Sequence, residues 1–171
     1  MNPLTLNPIG TIRSPHIDPE HGPIQPAFAQ DCPGTLEVLP HLEEGLQDIE
    51  GFSHLILIYH LHRAKSGPLI VKPFMDPTPH GVFATRYPSR PSPIGLSIVR
   101  LAARRGPVLE LLDVDLLDGT PILDIKPFYP RFDIPEGARG GWNDQVSEAD
   151  VEARGRRYAV TANPNLSALE A

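Results

Sequence analysis

Two arginines lie in a stiff, proline-containing segment, and arginine is the side chain best suited to bind a carboxylate or phosphate. The segment FATRYPSRPSPIG, residues 83–95, holds Arg86 and Arg90 among three prolines. Proline fixes φ and removes a backbone donor, so these residues exclude a helix interior and a central strand. A loop with few accessible conformations loses little entropy when it binds. We interpret the segment as a pre-ordered anion-binding loop, with a plain surface turn as the alternative.

Carboxylates are concentrated in the segment DVDLLDGTPILDIKPF, residues 113–128. The spacing of Asp113 and Asp115 predicts that they share one face of a strand, and Asp118-Gly119 predicts a two-residue turn between two paired strands. Aligned carboxylates are costly to bury unless they bind something, and a solvated face is the alternative. Such a carboxylate can accept hydrogen bonds from ribose hydroxyls, an amine or a cation, while Arg86 can bind an anion. Together they suit a zwitterionic or nucleotide-like ligand.

Charge is segregated along the chain around these two segments. Residues 77–109 contain no acid, and the fifteen residues that follow contain no Lys or Arg. If the two stretches form neighbouring antiparallel strands, cross-strand ion pairs account for part of this pattern. We assign Arg100, Arg104 and Arg105 to such pairs, whereas Arg86 and Arg90 have no comparable partner.

Histidines offer a possible metal site, which we consider the less favoured interpretation. His60 and His62 have the spacing of one strand face, with His54 further along the same strand. No carboxylate or second His-x-His pair completes a zinc ligand set, so we predict no metal. Glycine-rich dinucleotide and phosphate loops, HExxH, GxSxG and CxxC motifs are also absent from the sequence.

The composition predicts one all-β domain. The 171 residues include 21 prolines, more than twice the usual share of about 5%, which leaves little room for long helices. Turn residues recur every 8–12 residues or so, a spacing typical of a β-sandwich or small closed barrel. Residues 41–52 predict short helical turns, and residues 147–157 predict a short C-terminal helix. We predict strands in residues 4–13, 34–40, 53–63, 68–74, 81–86, 94–105, 108–118 and 120–128.

The net charge and the cysteine content limit the cellular compartment and the binding partners that we expect. The single cysteine, Cys32, cannot form an internal disulfide, and the sequence has no run of eighteen apolar residues. We therefore expect a cytoplasmic protein with no membrane partner. A net charge of −6 argues against indiscriminate nucleic-acid binding, although it does not exclude a local basic patch.

Five sequence blocks, taken in order, resemble the TsaA-like (TrmO/YaeB) family. The blocks are IGTIRSPH (9–16), PIQP (23–26), GFSHLILIYHLHR (51–63), GVFATRYPSRPSPIGLSIVRL (81–101) and LLDGTPILDIKPF (116–128). The resemblance implies a small antiparallel β-barrel that forms a homodimer. It also implies an S-adenosyl-L-methionine-dependent methyltransferase that acts on N6 of threonylcarbamoyladenosine at position 37 of tRNA.

The resemblance also implies roles for individual residues. The catalytic candidates are His62, Asp115 and Asp118, and Arg90 is assigned to the substrate or to the dimer interface. The cofactor-binding candidates are Pro26, Ala27, Phe28, His62, Arg63, Arg86, Leu96, Asp113, Val114, Asp115 and Leu116.

The chain departs from the family pattern at a few positions. Tyr87 stands where the family usually has serine, and Ser92 where it has asparagine. We expect a barrel domain at residues 1–142 and a tail with a short helix at 143–171, without the additional C-terminal domain of longer members. The alternatives are a non-catalytic S-adenosyl-L-methionine or nucleotide-binding module, and a hydrolase of a small phosphorylated compound.

Overall fold

A closed six-stranded antiparallel barrel forms the body of the protein. The computed structural model describes residues 4–155. Around the barrel the strand order is β1-β2-β7-β6-β3-β8, and β4 and β5 form a separate two-stranded sheet. The strands are β1 Gly10–Arg13, β2 Gly34–Val38, β3 His54–His60, β4 Ile70–Val71, β5 His80–Gly81, β6 Ile94–Arg105, β7 Val108–Leu112 and β8 Pro121–Pro127. The predicted barrel is therefore confirmed.

Alternation along the strands builds the core. Leu55 and Leu57 of β3 point into the barrel, as do Ser97 and Val99 of the neighbouring β6. The same alternation holds in β2, where Leu36 and Val38 are buried. The buried cluster comprises Ile12, Leu36, Val38, Leu46, Leu55, Leu57, Val99, Leu109, Leu111, Val114, Leu116 and Ile122.

The β1–β2, β3–β6 and β7–β8 connections leave the same end of the barrel. Neighbouring strands run antiparallel, so the C-terminal ends of β1, β3 and β7 lie beside the N-terminal ends of β2, β6 and β8. The β1–β2 connection is residues 14–33, the β3–β6 connection is residues 61–93 and the β7–β8 connection is residues 113–120. We call this end the mouth of the barrel. Every candidate site residue except Leu96 lies in one of these connections.

Short helices surround the barrel, as the sequence predicts. The predicted turns in residues 41–52 are 3₁₀ helices at Pro40–Leu46 and Ile49–Gly51, at the end opposite the mouth. After β8 come α1 (Pro130–Asp133), a 3₁₀ helix at Gly141–Gln145 and α2 (Glu148–Gly155). The last two residues of the predicted C-terminal helix lie outside the described residues. Among residues 4–155, none of the helices is long and apolar enough to cross a membrane.

The sequence prediction is wrong for the segment 113–128. β7 ends at Leu112 and pairs with β2 and β6, whereas β8 pairs with β1 and β3, so the two do not form a hairpin. Asp113 has a left-handed φ of 63°, which ends the strand and separates its side chain from that of Asp115. The shared strand face predicted for these two carboxylates is therefore wrong, although Gly119 does adopt the predicted turn conformation, with φ of 76°.

Two other predicted strands are much shorter than expected. Only Ile70–Val71 and His80–Gly81 pair, and Val82–Ala84 forms a 3₁₀ helix that leads into the arginine loop. Apolar, β-branched composition favoured a strand in both stretches, but neither packs as a strand of the barrel. The prolines that flank them limit the ladder that they can form.

Ion pairs explain most of the charge segregation. Arg100 and Arg105 of β6 pair across to Asp113 and Glu110, as antiparallel neighbours should. Arg104 instead reaches Glu50 of the opposite-end helices at 3.0 Å. The predicted pairing with the acidic stretch is confirmed for Arg100 and Arg105 and is wrong for Arg104.

The close approach of Tyr59 to Gly95 fixes where β3 and β6 end at the mouth. The two residues are Cα partners in the ladder, and both face inward. A Cβ built on Gly95 would lie 2.2 Å from the Tyr59 ring. The ring therefore occupies the volume that any other side chain at position 95 would need.

We predict that Gly95→Ala destabilises the fold by about 1–3 kcal/mol, because overpacking a ring against backbone forces both to move. Thermal denaturation followed by circular dichroism measures the effect. Gly81→Ala is the matched control, since nothing lies within 4 Å of a Cβ at that position. Equal melting temperatures for Gly95→Ala and Gly81→Ala would contradict the prediction.

Candidate functional site

A short hydrogen-bonded chain lines the mouth of the barrel and ends at Asp115. Ser97 donates to Asp115 Oδ1 at 2.7 Å, and the hydroxyl oxygens of Tyr59 and Ser97 are 3.1 Å apart. A serine hydroxyl has one proton, so Tyr59 must donate to Ser97 when Ser97 donates to Asp115. Two barrel strands and the β7–β8 connection are joined in this way.

The environment of Asp115 disfavours its charged form. Desolvation raises the pKa of the Asp115 carboxyl to about 7, and hydrogen bonding from Ser97 and the charge of Arg86 only partly oppose that rise. Burial and the Asp115 charge also raise the pKa of the Tyr59 hydroxyl, which keeps it neutral. Asp115 therefore exchanges a proton near neutral pH, as a general acid or base must.

Arg86 joins the arginine loop to the early loop. Its Nη1 donates to Gln25 Oε1 at 2.6 Å, directly before the 3₁₀ helix Pro26–Phe28. Arg86 and Gln25, which are 61 positions apart in sequence, are therefore neighbours at the mouth. The Arg86 charge also acts on both Asp115 and Tyr59.

Hydrogen bonds as well as prolines hold the arginine loop. Arg90 Nη1 donates to the carbonyl of Thr85 at 3.2 Å, and Trp142 Nε1 donates to the carbonyl of Ala84 at 2.8 Å. The Trp142 ring also stacks on His80 with centroids 4.6 Å apart. The backbone directly before Arg86 is therefore restrained, which fits the predicted pre-ordered loop.

The β7–β8 connection is anchored on both sides of Asp115. The Val114 amide donates to the Cys32 carbonyl at 3.2 Å, and His16 Nε2 lies 2.9 Å from the Val114 carbonyl. Arg100 Nη2 donates to Asp113 Oδ1 at 2.9 Å, so that carboxylate is already neutralised. The buried Val114 side chain belongs to the core. Within this connection, Asp115 is the residue whose carboxylate stands at the mouth.

Asp118 and Leu116 fasten the same connection to β1. Asp118 Oδ1 accepts from the Ser14 amide at 3.1 Å, and the Ser14 hydroxyl donates to the Leu116 carbonyl at 2.6 Å. The Asp118 amide in turn donates to the His16 carbonyl at 2.7 Å. These contacts explain a structural need for Asp118, while its catalytic role stays a prediction.

The remaining candidates lie on the β3–β6 side. Burial lowers the pKa of half-buried His62, and Arg63 Nη1 donates to the Ile17 carbonyl at 2.7 Å, which ties this connection to the early loop. Leu96 lies on β6 between two inward residues, and its side chain is on the outer face of the barrel. Among the described residues, no three His, Cys, Asp or Glu side chains are grouped to hold a metal ion.

Sequence reasoning missed Tyr59, Gly95 and Ser97. Each faces inward near the mouth, at the end of β3 or at the start of β6. That orientation follows only from the strand register. A polar serine among apolar inward residues of IGLSIV was the available indication. His16 was also missed as a side chain that holds the Val114 carbonyl.

Fold and site together define a closed β-barrel protein whose β1–β2, β3–β6 and β7–β8 connections meet at one end. Residues 11–134 match the family model for the tRNA-methyltransferase O N-terminal domain. The chain belongs to this family.

Relatives and solved structures agree with that assignment. A probable S-adenosyl-L-methionine-binding protein of Pyrococcus abyssi is 53% identical, over 94% of this chain and 88% of the relative. The tRNA (adenine(37)-N6)-methyltransferase of Escherichia coli is 35% identical, over 76% of this chain and 60% of the relative. The crystal structure of TrmO from Pseudomonas aeruginosa superposes with a TM-score of 0.68 at 40% identity, covering 82% of this chain and 62% of that one.

We predict that Asp115→Asn stabilises the ligand-free protein at alkaline pH. Because folding raises the carboxyl pKa from its unfolded value of about 3.9, ionisation penalises the folded state increasingly as pH rises towards 7. The variant should melt on the order of 5 °C higher than the parent at about pH 8, with the difference shrinking towards about pH 4.

Differential scanning calorimetry across this pH range is the measurement. Asp48→Asn makes the same chemical change at an exposed position and should leave the melting temperature nearly unchanged. A stabilisation by Asp115→Asn that does not depend on pH would contradict the burial of an ionised carboxylate.

Proposed function

We propose that this chain transfers a methyl group from S-adenosyl-L-methionine to N6 of threonylcarbamoyladenosine at position 37 of tRNA. Membership of the tRNA-methyltransferase O family makes it an S-adenosyl-L-methionine-dependent tRNA methyltransferase. The observation that carries the finer proposal is the placement of a partly buried carboxylate, Asp115, beside the positive charge of Arg86 at the mouth of the barrel. Relatives named for adenine(37)-N6 methylation support the position on the tRNA.

The side chains at the mouth fit the methyl donor. S-Adenosyl-L-methionine carries a carboxylate, an ammonium group and ribose hydroxyls, and when bound it supplies an electrophilic methyl group on a cationic sulfonium. Arg86 offers a guanidinium for a carboxylate, and Asp115 offers an acceptor for cations or hydroxyls. The backbone and side chains of Pro26–Phe28 lie beside Arg86 through its bond to Gln25. Of the other predicted cofactor residues, Val114 and Leu116 have side chains buried in the core, and the Leu96 side chain faces outward.

Asp115 is our choice among the three catalytic candidates. The carboxylate of Asp118 already accepts the Ser14 amide, whereas burial raises the pKa of Asp115 to about 7. Positioning lowers the barrier of the transfer, and a proton acceptor makes the N6 nitrogen nucleophilic. One N–H and one C–S bond break as one N–C and one O–H bond form. Asp115 holds the proton that leaves N6, and His62 is proposed to orient the base from the adjacent connection.

Arg90 is proposed to bind the substrate. It lies in the restrained loop with Arg86, and a guanidinium can clamp the threonyl carboxylate of the modified adenosine in two hydrogen bonds. A conformation fixed before binding reduces the entropic cost of that contact. We propose that the barrel domain spans residues 1–142, that residues 143–171 form a tail, and that the protein acts on cytoplasmic tRNA.

A homodimer is proposed through the outer face of β3 and β6. Ile94, Leu96 and Ile98 are 43%, 48% and 37% exposed on β6, and the register places Ile58 and Ile56 of β3 beside the last two. Continuous apolar surface of this kind is typical of protein interfaces. Because Leu96 follows Gly95 on the same strand, a second copy bound here would lie next to the mouth.

We predict that Arg86→Ala weakens S-adenosyl-L-methionine binding about 10- to 100-fold, because it removes a charge-assisted contact worth about 1.5–3 kcal/mol. The affinity is measured by isothermal titration. Mass spectrometry of nucleosides from tRNA of a strain lacking this activity then detects methylated threonylcarbamoyladenosine. Arg105→Ala, at an exposed ion pair on the far part of β6, is the matched control and should bind and methylate normally.

The same pair of measurements separates the proposal from its alternative. Normal cofactor binding with no methylated nucleoside would identify a non-catalytic binding module. Methylation of unmodified adenosine in the same assay would instead keep the enzyme and refute the proposed substrate.

We predict that Ile98→Lys converts the dimer to a monomer at micromolar protein concentration, because it places a charge in an apolar interface. Size-exclusion chromatography with light scattering reports the mass. Leu42→Lys, at an exposed apolar residue on the helix Pro40–Leu46, should remain dimeric. A monomeric parent protein, or a dimeric Ile98→Lys, would exclude this interface.

A further inference from the structure

Two carboxylates of the β7–β8 connection differ in whether they have an ion-pair partner. Asp113 is paired with Arg100, which also binds Asp31. Asp115, two residues later, receives a neutral hydroxyl from Ser97, and among residues 4–155 no Lys, Arg or His forms an ion pair with it. A desolvated carboxylate without a cation is costly in free energy. The fold leaves the charge of Asp115 without an opposite charge beside it, whereas it balances the charge of Asp113.

The surroundings of Asp115 do not supply the missing cation. Arg86 donates to Gln25 and influences Asp115 only at longer range. Tyr59 and Cys32, on the opposite sides, are neutral, since burial raises the pKa of the Tyr59 hydroxyl and raises that of the Cys32 thiol to about 11. The mouth therefore presents a negative charge that a ligand cation would balance.

We propose that Asp115 is the counter-ion of the sulfonium of the methyl donor, and that this pairing makes the site prefer the donor over its thioether product. The inference rests on the proposed function, because it takes S-adenosyl-L-methionine as the ligand. The donor and S-adenosyl-L-homocysteine differ by one methyl group and one positive charge. Only an ionised Asp115 can distinguish them by charge, and Coulomb attraction is strong where water is partly excluded.

This pairing also explains how the product would leave. With the donor bound, Asp115 is ionised and balanced by a cation. After the transfer, Asp115 holds the proton from N6, so a neutral acid faces a neutral thioether. Charge is conserved and no unbalanced ion remains in the mouth, while the attraction that held the donor is gone.

A pH dependence follows, and the charged neighbours define it. Facing Asp115 are Ser97 from β6, Tyr59 from β3, Cys32 from the β1–β2 connection and Arg86 from the β3–β6 connection. Burial raises the pKa of the Tyr59 hydroxyl and of the Cys32 thiol, so both stay neutral between about pH 5.5 and 8.5.

Two histidines near Asp115 also bear on this pH dependence. His16 contacts Cys32, and His62 lies on the connection that carries Arg86; burial lowers the pKa of both. Asp113, beside Asp115 in the chain, is held ionised by Arg100, which lowers its pKa.

The test measures the affinities of purified protein for S-adenosyl-L-methionine and for S-adenosyl-L-homocysteine by isothermal titration between about pH 5.5 and 8.5. We expect the ratio of the two affinities, donor over product, to rise about tenfold or more across this range, with its midpoint near 7. At about pH 6.5, donor binding should release a fraction of a proton, seen as heat that depends on the buffer, and product binding should not.

Variants assign the effect to Asp115. Asp115→Asn should make the ratio independent of pH, whereas Asp48→Asn should keep the dependence. Ser97→Ala should move the midpoint to higher pH, because the hydrogen bond from Ser97 lowers the Asp115 pKa. A purely structural role for Ser97 would not shift that midpoint.

The outcomes separate this inference from the proposed function. A ratio that is constant with pH in the parent protein, or a pH-dependent ratio in Asp115→Asn, overturns the counter-ion role even if tRNA is methylated. A pH-dependent ratio without tRNA methylation supports the counter-ion role and overturns the proposed substrate. Failure of the parent protein to bind either compound overturns both.

Discussion

The packing of the Tyr59 ring on Gly95 is the contact on which the mouth of the barrel depends. It allows β3 and β6 to approach closely with a large ring facing inward, and it places the Tyr59 hydroxyl on Ser97. Ser97 then reaches Asp115 across the opening. A glycine in a strand usually weakens it, but here the absence of a side chain makes room for the residue that orients the acid.

Antiparallel closure does the rest of the positioning. With an even number of strands alternating in direction, connections at one end of the barrel come from strands far apart in sequence. The early loop, the arginine loop and the β7–β8 connection therefore meet at the mouth, although they are far apart in sequence. Helices and a short turn occupy the other end, where Arg104 joins them by ion pairs.

Local patterns in the sequence were sufficient for the barrel strands but not for the site. β6 was predicted with its observed bounds because turn residues flank it, with Pro93 before the strand and Gly106-Pro107 after it. The 113–128 segment was predicted as a hairpin because Asp118-Gly119 is a strong turn, yet the left-handed Asp113 redirects the chain beforehand. Such a conformation depends on Arg100 and Asp31, which lie on other elements. Inward polar residues such as Ser97 became visible only with the register.

The hydrogen bond from Trp142 to the Ala84 carbonyl links the chain that follows the barrel to the arginine loop. Tension or torsion on that following segment would be transmitted to Arg86 through one indole and one short 3₁₀ helix. A segment that follows Trp142 therefore influences the position of the arginine loop without altering a barrel strand. A longer segment after Trp142 would therefore act on the arginine loop, while the contacts within the mouth stay the same.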